Sequence, residues 1–212
     1  MDTDPKTIID EFCNVCLEAR YHFDFYRSLF ESSERDRNLC STIAPSFFSN
    51  LNLILIQHLI LDFCKLTDSA KSGSENTPNL TTRFIVEEII WPENIKQQLK
   101  TANEPLMQFR RLVLPARNKR VAHNDLNAQV VQKENLGGFP RGADIDFYAD
   151  LQTFINIAYG YLNNGESRPI AFPMSIDTHK LVRALEKAVT FDQCRKCEPH
   201  ERELAILDYE DS

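Results

Sequence analysis

Apolar side chains recur at intervals of three and four along most of the chain, which is the spacing of one face of an α-helix. The first such face predicts a helix from Pro5 to about Ser32, with Asp4 as its N-cap. A second run predicts a helix that begins after the segment Ser41–Pro45 and ends at about Thr67. This second helix is apolar nearly all round, so we expect it to be central in the fold.

The rest of the chain continues the helical pattern between breaks of proline, glycine and short polar residues. A loop is predicted at 68–80, followed by a helix from Thr81 or Thr82 through Ile90 and a helix opened by Pro92. After a break at Asn103–Pro105, a helix kinked at Pro115 should reach about Asn127, and a glycine-rich loop follows at 136–142. The last two helices are capped by Asp144 or Asp146 and by Ser175 or Asp177, and they end near Asn163 and Val189. With no internal repeat and no second core in the pattern, we expect one all-α domain over residues 1–197. It should be a bundle of about five to seven helices.

Charge changes this picture because it is unevenly distributed. The chain has 24 basic and 31 acidic residues among 212, a formal net charge of −7. Six acids and one base fall in the acidic tail, residues 198–212, so the other 197 residues carry only −2. A surface of this kind disfavours general attraction to nucleic acid or to an anionic membrane, but it leaves room for a local basic patch.

Composition favours a cytoplasmic protein. Six cysteines are far too few for a disulfide scaffold of this length, and the amino terminus lacks the basic and apolar regions of a secretory signal. The most apolar stretch, Leu51–Phe63, is interrupted by polar residues and is too short to span a bilayer. We therefore expect no membrane partner.

A basic segment near the middle of the chain carries the candidate chemistry. Between Glu104 and Asp125 it contains no acid and five bases: Arg110, Arg111, Arg117, Lys119 and Arg120. His123 follows, and histidine can exchange a proton near neutral pH. Guanidinium groups bind phosphate oxygens, so the combination suits RNA cleavage by the 2′-hydroxyl without a metal. An ideal helix separates Arg117 and His123 by about 120°, so convergence needs a distorted turn, the reach of the long arginine, or a second chain.

The same residues resemble a known family. Arg117-Asn118, four further residues and His123 are similar to the arginine, polar residue, variable gap and histidine motif of the HEPN superfamily. The wider string Arg-Asn-Lys-Arg-Val-Ala-His-Asn-Asp, preceded by Arg110-Arg111-Leu112, is most similar to its abortive-infection U-type (AbiU-like) branch. The expected all-α fold and the position of the motif past the middle of the chain agree with the resemblance.

The resemblance implies a helical bundle that dimerises, so that two motifs form one composite, metal-independent endoribonuclease site. Family members act in phage defence, toxin–antitoxin pairs and RNA processing, so the implied partners are a second copy, RNA and an antitoxin protein. Carried over by position, Arg117 and His123 would be catalytic and Asn118 would orient them. His123 would transfer the proton and Arg117 would stabilise the phosphorane. No cofactor or metal is expected.

Charge alone, rather than the resemblance, assigns four more residues as RNA phosphate contacts: Arg110, Arg111, Lys119 and Arg120. Two other interpretations of the segment stay open. The chain could be a noncatalytic helical module that binds RNA or a partner protein, or the basic segment could pair with the acidic tail at 198–212.

The remaining polar candidates are weaker. Cys13/Cys16 and Cys194/Cys197 are both C-x-x-C pairs and could together hold zinc, although Cys16 lies on the apolar face of the first predicted helix. His58 is predicted to be a core histidine with satisfied hydrogen bonds. Asp62 and Asp68 flank Lys65, which predicts local ion pairs, whereas the sequence names no partner for His22.

Overall fold

The computed structural model describes residues 4–118, 140–171 and 176–196. The helices are α1 (Pro5–Phe30), α2 (Glu34–Ile43), α3 (Pro45–Thr67), α4 (Thr82–Glu88), α5 (Glu93–Ala116), α6 (Ala143–Leu162) and α7 (Ile176–Lys196), and the strands are β1 (Lys71–Ser72) and β2 (Thr77–Pro78). Seven helices in the described part of the chain, against one two-stranded hairpin, confirm the predicted all-α fold.

The contacts divide the chain into two compact units, which are described separately. The first unit comprises Met1–Phe23 and Leu55–Phe172, and the second comprises Asp24–Ile54 and Pro173–Ser212. In the second unit α2 packs against α7, and Arg35 forms an ion pair with Glu186 at 2.7 Å. The single domain predicted over 1–197 stays a prediction, and the acidic tail lies outside the described residues.

Aromatic packing forms the core of the first unit. The Phe63 ring lies 4.9 Å from the rings of both Phe109 and Phe147, measured between centroids, and 5.7 Å from Tyr148. Tyr148 is fully buried, and its hydroxyl donates a hydrogen bond of 2.8 Å to the Ala19 carbonyl oxygen. This pairing satisfies the one polar atom of the ring, so α6 packs on α1 without leaving a buried hydroxyl unpaired. The contacts of Phe63 with Phe109 and Phe147 hold the carboxyl-terminal halves of α3 and α5 in one core with α6.

Helix α3 has the predicted bounds, but it is less central than its composition indicates. Its exposed apolar side chains include Phe47 at 62% and Ile54 at 59%. The helix has 23 residues, longer than the apolar stretch predicted from sequence, and by length and composition alone it could cross a membrane. Only 33% of its most apolar window is buried. The expectation of a central helix is therefore wrong for its first half.

Two further elements differ from the sequence prediction. Helix α2 was not expected, because it carries few apolar residues, yet Ser33 caps it by accepting the Asp36 N–H at 3.0 Å. Helix α5 runs unbroken through Pro105, where a break was predicted. Proline removes one helical hydrogen bond, and the neighbouring Leu106 and Phe109, both buried, keep this helix packed in spite of that loss.

The predicted caps are confirmed at one helix and wrong at another. Thr81 caps α4 by accepting the Phe84 N–H at 3.1 Å. At α6 the N-cap position is Gly142, with a left-handed φ of 90° that favours glycine, while Asp144 and Asp146 lie in the first turn. Their negative charges still suit the positive end of the helix dipole, so the acidic signal marked the start of the helix but not the cap itself.

Candidate functional site

The predicted site begins at the carboxyl end of α5. Arg110 and Arg117 are seven residues apart, which places them on the same face of the helix, and both contact Asp68, the residue that follows α3. We call Arg110, Arg117 and Asp68 the guanidinium cluster. Its one carboxylate neutralises one of two permanent positive charges, so the cluster keeps a net charge of +1.

The two arginines are bound to Asp68 very differently. The Nη2 atom of Arg110 lies 2.5 Å from Oδ1 of Asp68, and the Arg110 side chain is only 15% exposed. Nη2 of Arg117 lies 3.9 Å from the other carboxylate oxygen, and the Arg117 side chain is 37% exposed. Arg110 is thus a mostly buried partner of Asp68, whereas Arg117 keeps donors available to a ligand.

Asn118 contacts Arg117 directly. The Arg117 Nη1 group donates a hydrogen bond of 3.0 Å to Oδ1 of Asn118, so the amide restricts the orientation of the guanidinium plane. The backbone of Arg117 stays helical, and its N–H reaches the carbonyl oxygens of both Val113 and Leu114. Side chain and backbone together position the first half of the predicted catalytic motif.

Cys64 lies beside the guanidinium cluster but is not a nucleophile. Burial raises the pKa of its thiol above the ordinary value, and the charges of Arg110 and Arg117 offset that rise only in part. The group is therefore a neutral thiol at pH 7, and it contributes packing rather than reactivity.

Arg111 lies on a different side of α5 from the guanidinium cluster. It is exposed and lines a shallow groove of about 380 Å³, together with Lys100, Asn103, Glu104, Met107 and Gln108. The basic segment is therefore not one stripe on the protein surface. Its described members face two separate regions.

Several predicted residues lie outside the described residues: Lys119, Arg120 and His123. The proposed pairing of the basic segment with the acidic tail also falls there. The structure describes four of the predicted site residues: Arg110, Arg111, Arg117 and Asn118. It brings Arg110, Arg117 and Asn118 together, whereas Arg111 lies apart.

A second polar cluster was missed in the sequence. His22 on α1 and His58 and Asp62 on α3 place three ligand-type atoms within 4.8 Å of one another, and we call them the imidazole cluster. The His58 side chain is 41% exposed, so the prediction of a core histidine is wrong. The i, i+4 spacing of His58 and Asp62 was the available signal, but nothing local in the sequence indicated His22 as their partner.

Asp68 was also misinterpreted. It was predicted to pair locally with Lys65, but its closest cationic partner is Arg110, 42 residues further along the chain. Lys65 instead lies 3.9 Å from Asp62. Proximity in sequence favoured the wrong partner because the packing of α3 against α5 is invisible in a local pattern.

The C-x-x-C pair on α1 is buried, and among the described residues no third ligand-type side chain is grouped with it. Cys13 and Cys16 are both buried free thiols, and burial raises the pKa of Cys13 to about 11. Zinc binds thiolates, so each of these groups would first have to lose a proton in an apolar environment. Cys197 and the side chain of Cys194 lie outside the described residues.

A model of a known protein family matches most of the chain. The sequence model of HEPN_AbiU2, described as AbiU2, matches residues 3–189. No curated protein and no solved structure matches the chain. The match spans most of the chain and includes the whole basic segment, and the all-α fold agrees with it. The chain belongs to the AbiU2 family of HEPN-type abortive-infection proteins.

Proposed function

We propose that the chain is a metal-independent endoribonuclease that cleaves single-stranded RNA by attack of the adjacent 2′-hydroxyl, acting in phage defence or as part of a toxin–antitoxin pair. The observation that carries the proposal is the state of Arg117: a partly exposed guanidinium, oriented by Asn118 and only loosely held by Asp68. His123 follows Arg117 by six residues and lies within the segment that the family model matches.

The proposed reaction needs a proton transfer and a stabiliser of negative charge. A 2′-hydroxyl attacks the neighbouring phosphorus, and the 5′-oxygen leaves, which yields a 2′,3′-cyclic phosphate and a 5′-hydroxyl. His123 transfers a proton, and the N–H groups of Arg117 bind the phosphorane oxygens as their negative charge grows. Asn118 holds the guanidinium in the orientation that phosphate requires.

Asp68 favours Arg117 over Arg110 as the phosphate ligand. An RNA phosphate would have to displace a short, mostly buried ion pair to reach Arg110, whereas Arg117 can bind phosphate while Asp68 stays on Arg110. Arg111, Lys119 and Arg120 are proposed as further phosphate contacts on charge alone, and Arg110 is assigned to holding Asp68 in place.

The proposed assembly is a homodimer in the cytoplasm, in which two copies of the motif form one composite site, with an antitoxin protein as a further partner. The six-residue spacing between Arg117 and His123 supports this arrangement. On one ideal helix Arg117 and His123 project about 120° apart, and a second copy removes the need for one chain to bring them together.

The test is cleavage of end-labelled single-stranded RNA in the presence of EDTA. Wild type should release a cyclic phosphate, and Arg117→Ala and His123→Ala should each lose at least about a hundredfold in rate. Arg83→Ala and His179→Ala are matched controls, since Arg83 forms only a surface pair with Glu87 and His179 is exposed on α7.

Equal cleavage by wild type and both motif variants would overturn the catalytic assignment. If wild type binds RNA in a salt-sensitive manner but never cuts it, the noncatalytic module is correct instead. If deletion of residues 198–212 creates activity that the full chain lacks, the acidic tail is an inhibitor of the basic segment.

A further inference from the structure

The imidazole cluster has the arrangement of a metal site. Nδ1 of His22 lies 2.9 Å from Oδ2 of Asp62 and 3.1 Å from Nε2 of His58, and that Nε2 lies 3.4 Å from the same carboxylate oxygen. Zinc bonds to nitrogen and oxygen are about 2.0 to 2.2 Å long, so two tetrahedral ligands lie about 3.4 Å apart. The three atoms therefore need to move by about half an ångström or less to bind one ion.

Hydrogen bonds can satisfy only two of these three contacts: Oδ2 of Asp62 can accept from both rings, but the two ring nitrogens then face each other as N–H groups at 3.1 Å. A ring nitrogen carries either one N–H or one lone pair, directed along a single line in the ring plane, and a carboxylate only accepts. Nδ1 of His22 has both Asp62 and His58 within 3.1 Å, but it can direct its single proton or lone pair at only one of them. A cation between the three atoms satisfies all of them at once.

The surroundings fit a cation with one open coordination position. Asp62 is 7% exposed and its second oxygen, Oδ1, lies 3.9 Å from Lys65, so Oδ2 alone is directed to the histidines. The side chains of His22 and His58 are 28% and 41% exposed, which leaves a path for an ion and space for a water ligand. All three residues belong to the unit that contains Met1–Phe23 and Leu55–Phe172.

The ligand types select the metal. Two imidazoles and one carboxylate suit Zn²⁺ and its transition-metal neighbours, whereas Mg²⁺ and Ca²⁺ prefer sites made only of oxygen atoms. We propose that His22, His58 and Asp62 form a Zn²⁺ site that links α1 to α3, with water as the fourth ligand. The site shares no residue with Arg117 and Asn118, so it is independent of the proposed RNA cleavage.

The experiment is a calorimetric titration of metal-free, full-length protein with Zn²⁺. Wild type should bind one ion at this site, and the binding should raise its melting temperature because the ion binds the folded chain. Millimolar Mg²⁺ should not compete. His58→Ala and Asp62→Asn should each weaken zinc binding by at least about tenfold. His58 is sufficiently exposed that its replacement should leave the fold intact, which circular dichroism checks.

Two control variants separate this site from other ligands. His179→Ala removes an exposed histidine on α7, and a double Cys194→Ser, Cys197→Ser variant removes the second C-x-x-C pair. Both should bind zinc as wild type does. The proposal is overturned if wild type binds no zinc, if folded His58→Ala binds it equally well, or if the cysteine variant abolishes binding. Because no RNA is present, the ribonuclease proposal can fail without affecting this result.

Discussion

The guanidinium cluster and the imidazole cluster have the same arrangement of side chains but contain different basic groups. Each places one aspartate between two nitrogen-bearing side chains, with Asp68 between Arg110 and Arg117 and Asp62 between His22 and His58. Guanidinium is always charged and has only donors, so it attracts an anion such as phosphate. Neutral imidazole has a lone pair, so it binds a cation. The choice of base, rather than the shared carboxylate, decides which ligand each cluster can take.

The clusters also differ in how firmly the aspartate is held. Asp68 has one short bond to a mostly buried arginine, while Asp62 has two longer contacts to partly exposed histidines. We therefore expect the guanidinium cluster to contribute more to stability in the absence of ligands, and the imidazole cluster to gain most of its strength from the ion.

The largest effect should come from Arg117→Lys. This change keeps the charge but removes the planar pair of donors, so cleavage of single-stranded RNA should fall on the order of 100-fold, or about 2.7 kcal/mol. The salt dependence of RNA binding should be preserved, because the charge remains. Cleavage at the wild-type rate would mean that charge alone, and not the guanidinium geometry, makes the cluster a phosphate site.

Asp68→Ala should have the next largest effect, on stability. It leaves the Arg110 charge mostly buried without its partner, and the free energy of unfolding should fall by about 2 kcal/mol in urea denaturation. Glu87→Ala is the matched control, since Glu87 is 45% exposed in its i, i+4 pair with Arg83 and should contribute little. Equal, small losses in both variants would show that the Asp68 pair is no stronger than a surface pair.

His22→Ala should have a smaller effect when EDTA is present. It removes the hydrogen bond to Asp62, which predicts a loss of about 1 kcal/mol in the free energy of unfolding. Saturating zinc should then stabilise wild type but not the variant. A loss in EDTA as large as that of Asp68→Ala would contradict the view that this cluster is weakly held without its ion.

Arg83→Ala should have the smallest effect and sets the baseline for the others. Arg83 pairs with Glu87 at 3.2 Å on the surface of α4, and such i, i+4 pairs contribute less than about 0.5 kcal/mol. Urea denaturation and RNA cleavage should both be close to wild type. A larger loss of stability would show that surface pairs in this chain are stronger than the comparison assumes.

The sequence predicted the parts of the fold that depend on local periodicity. The apolar spacing gave the start and end of α3, and Thr81 was found because an N-cap acts within one turn. Helix α2 was missed because its hydrophobic face is small. A break was wrongly predicted at Pro105 because the local sequence does not show that its neighbours are buried and hold α5 together.

The same distinction between local pattern and tertiary contact applies to the residues of the candidate site. Arg117 and Asn118 were found because they are adjacent and belong to a motif. Asp68 and His22 were not, because their partners are 42 and 40 residues away, and only the packing of helices brings them together. Adjacent motif residues can be predicted from sequence, whereas partners supplied by another helix depend on tertiary contacts.

Pro115 has a consequence for how Arg117 meets its ligand. Proline has no N–H, so the Arg111 carbonyl lacks its usual helical donor, and the last turn of α5 is held by fewer backbone hydrogen bonds than a helical turn without proline. A small rotation of Arg117 and Asn118 therefore breaks less structure here than it would in mid-helix. An RNA that requires such an adjustment spends less of its binding energy on deforming the protein.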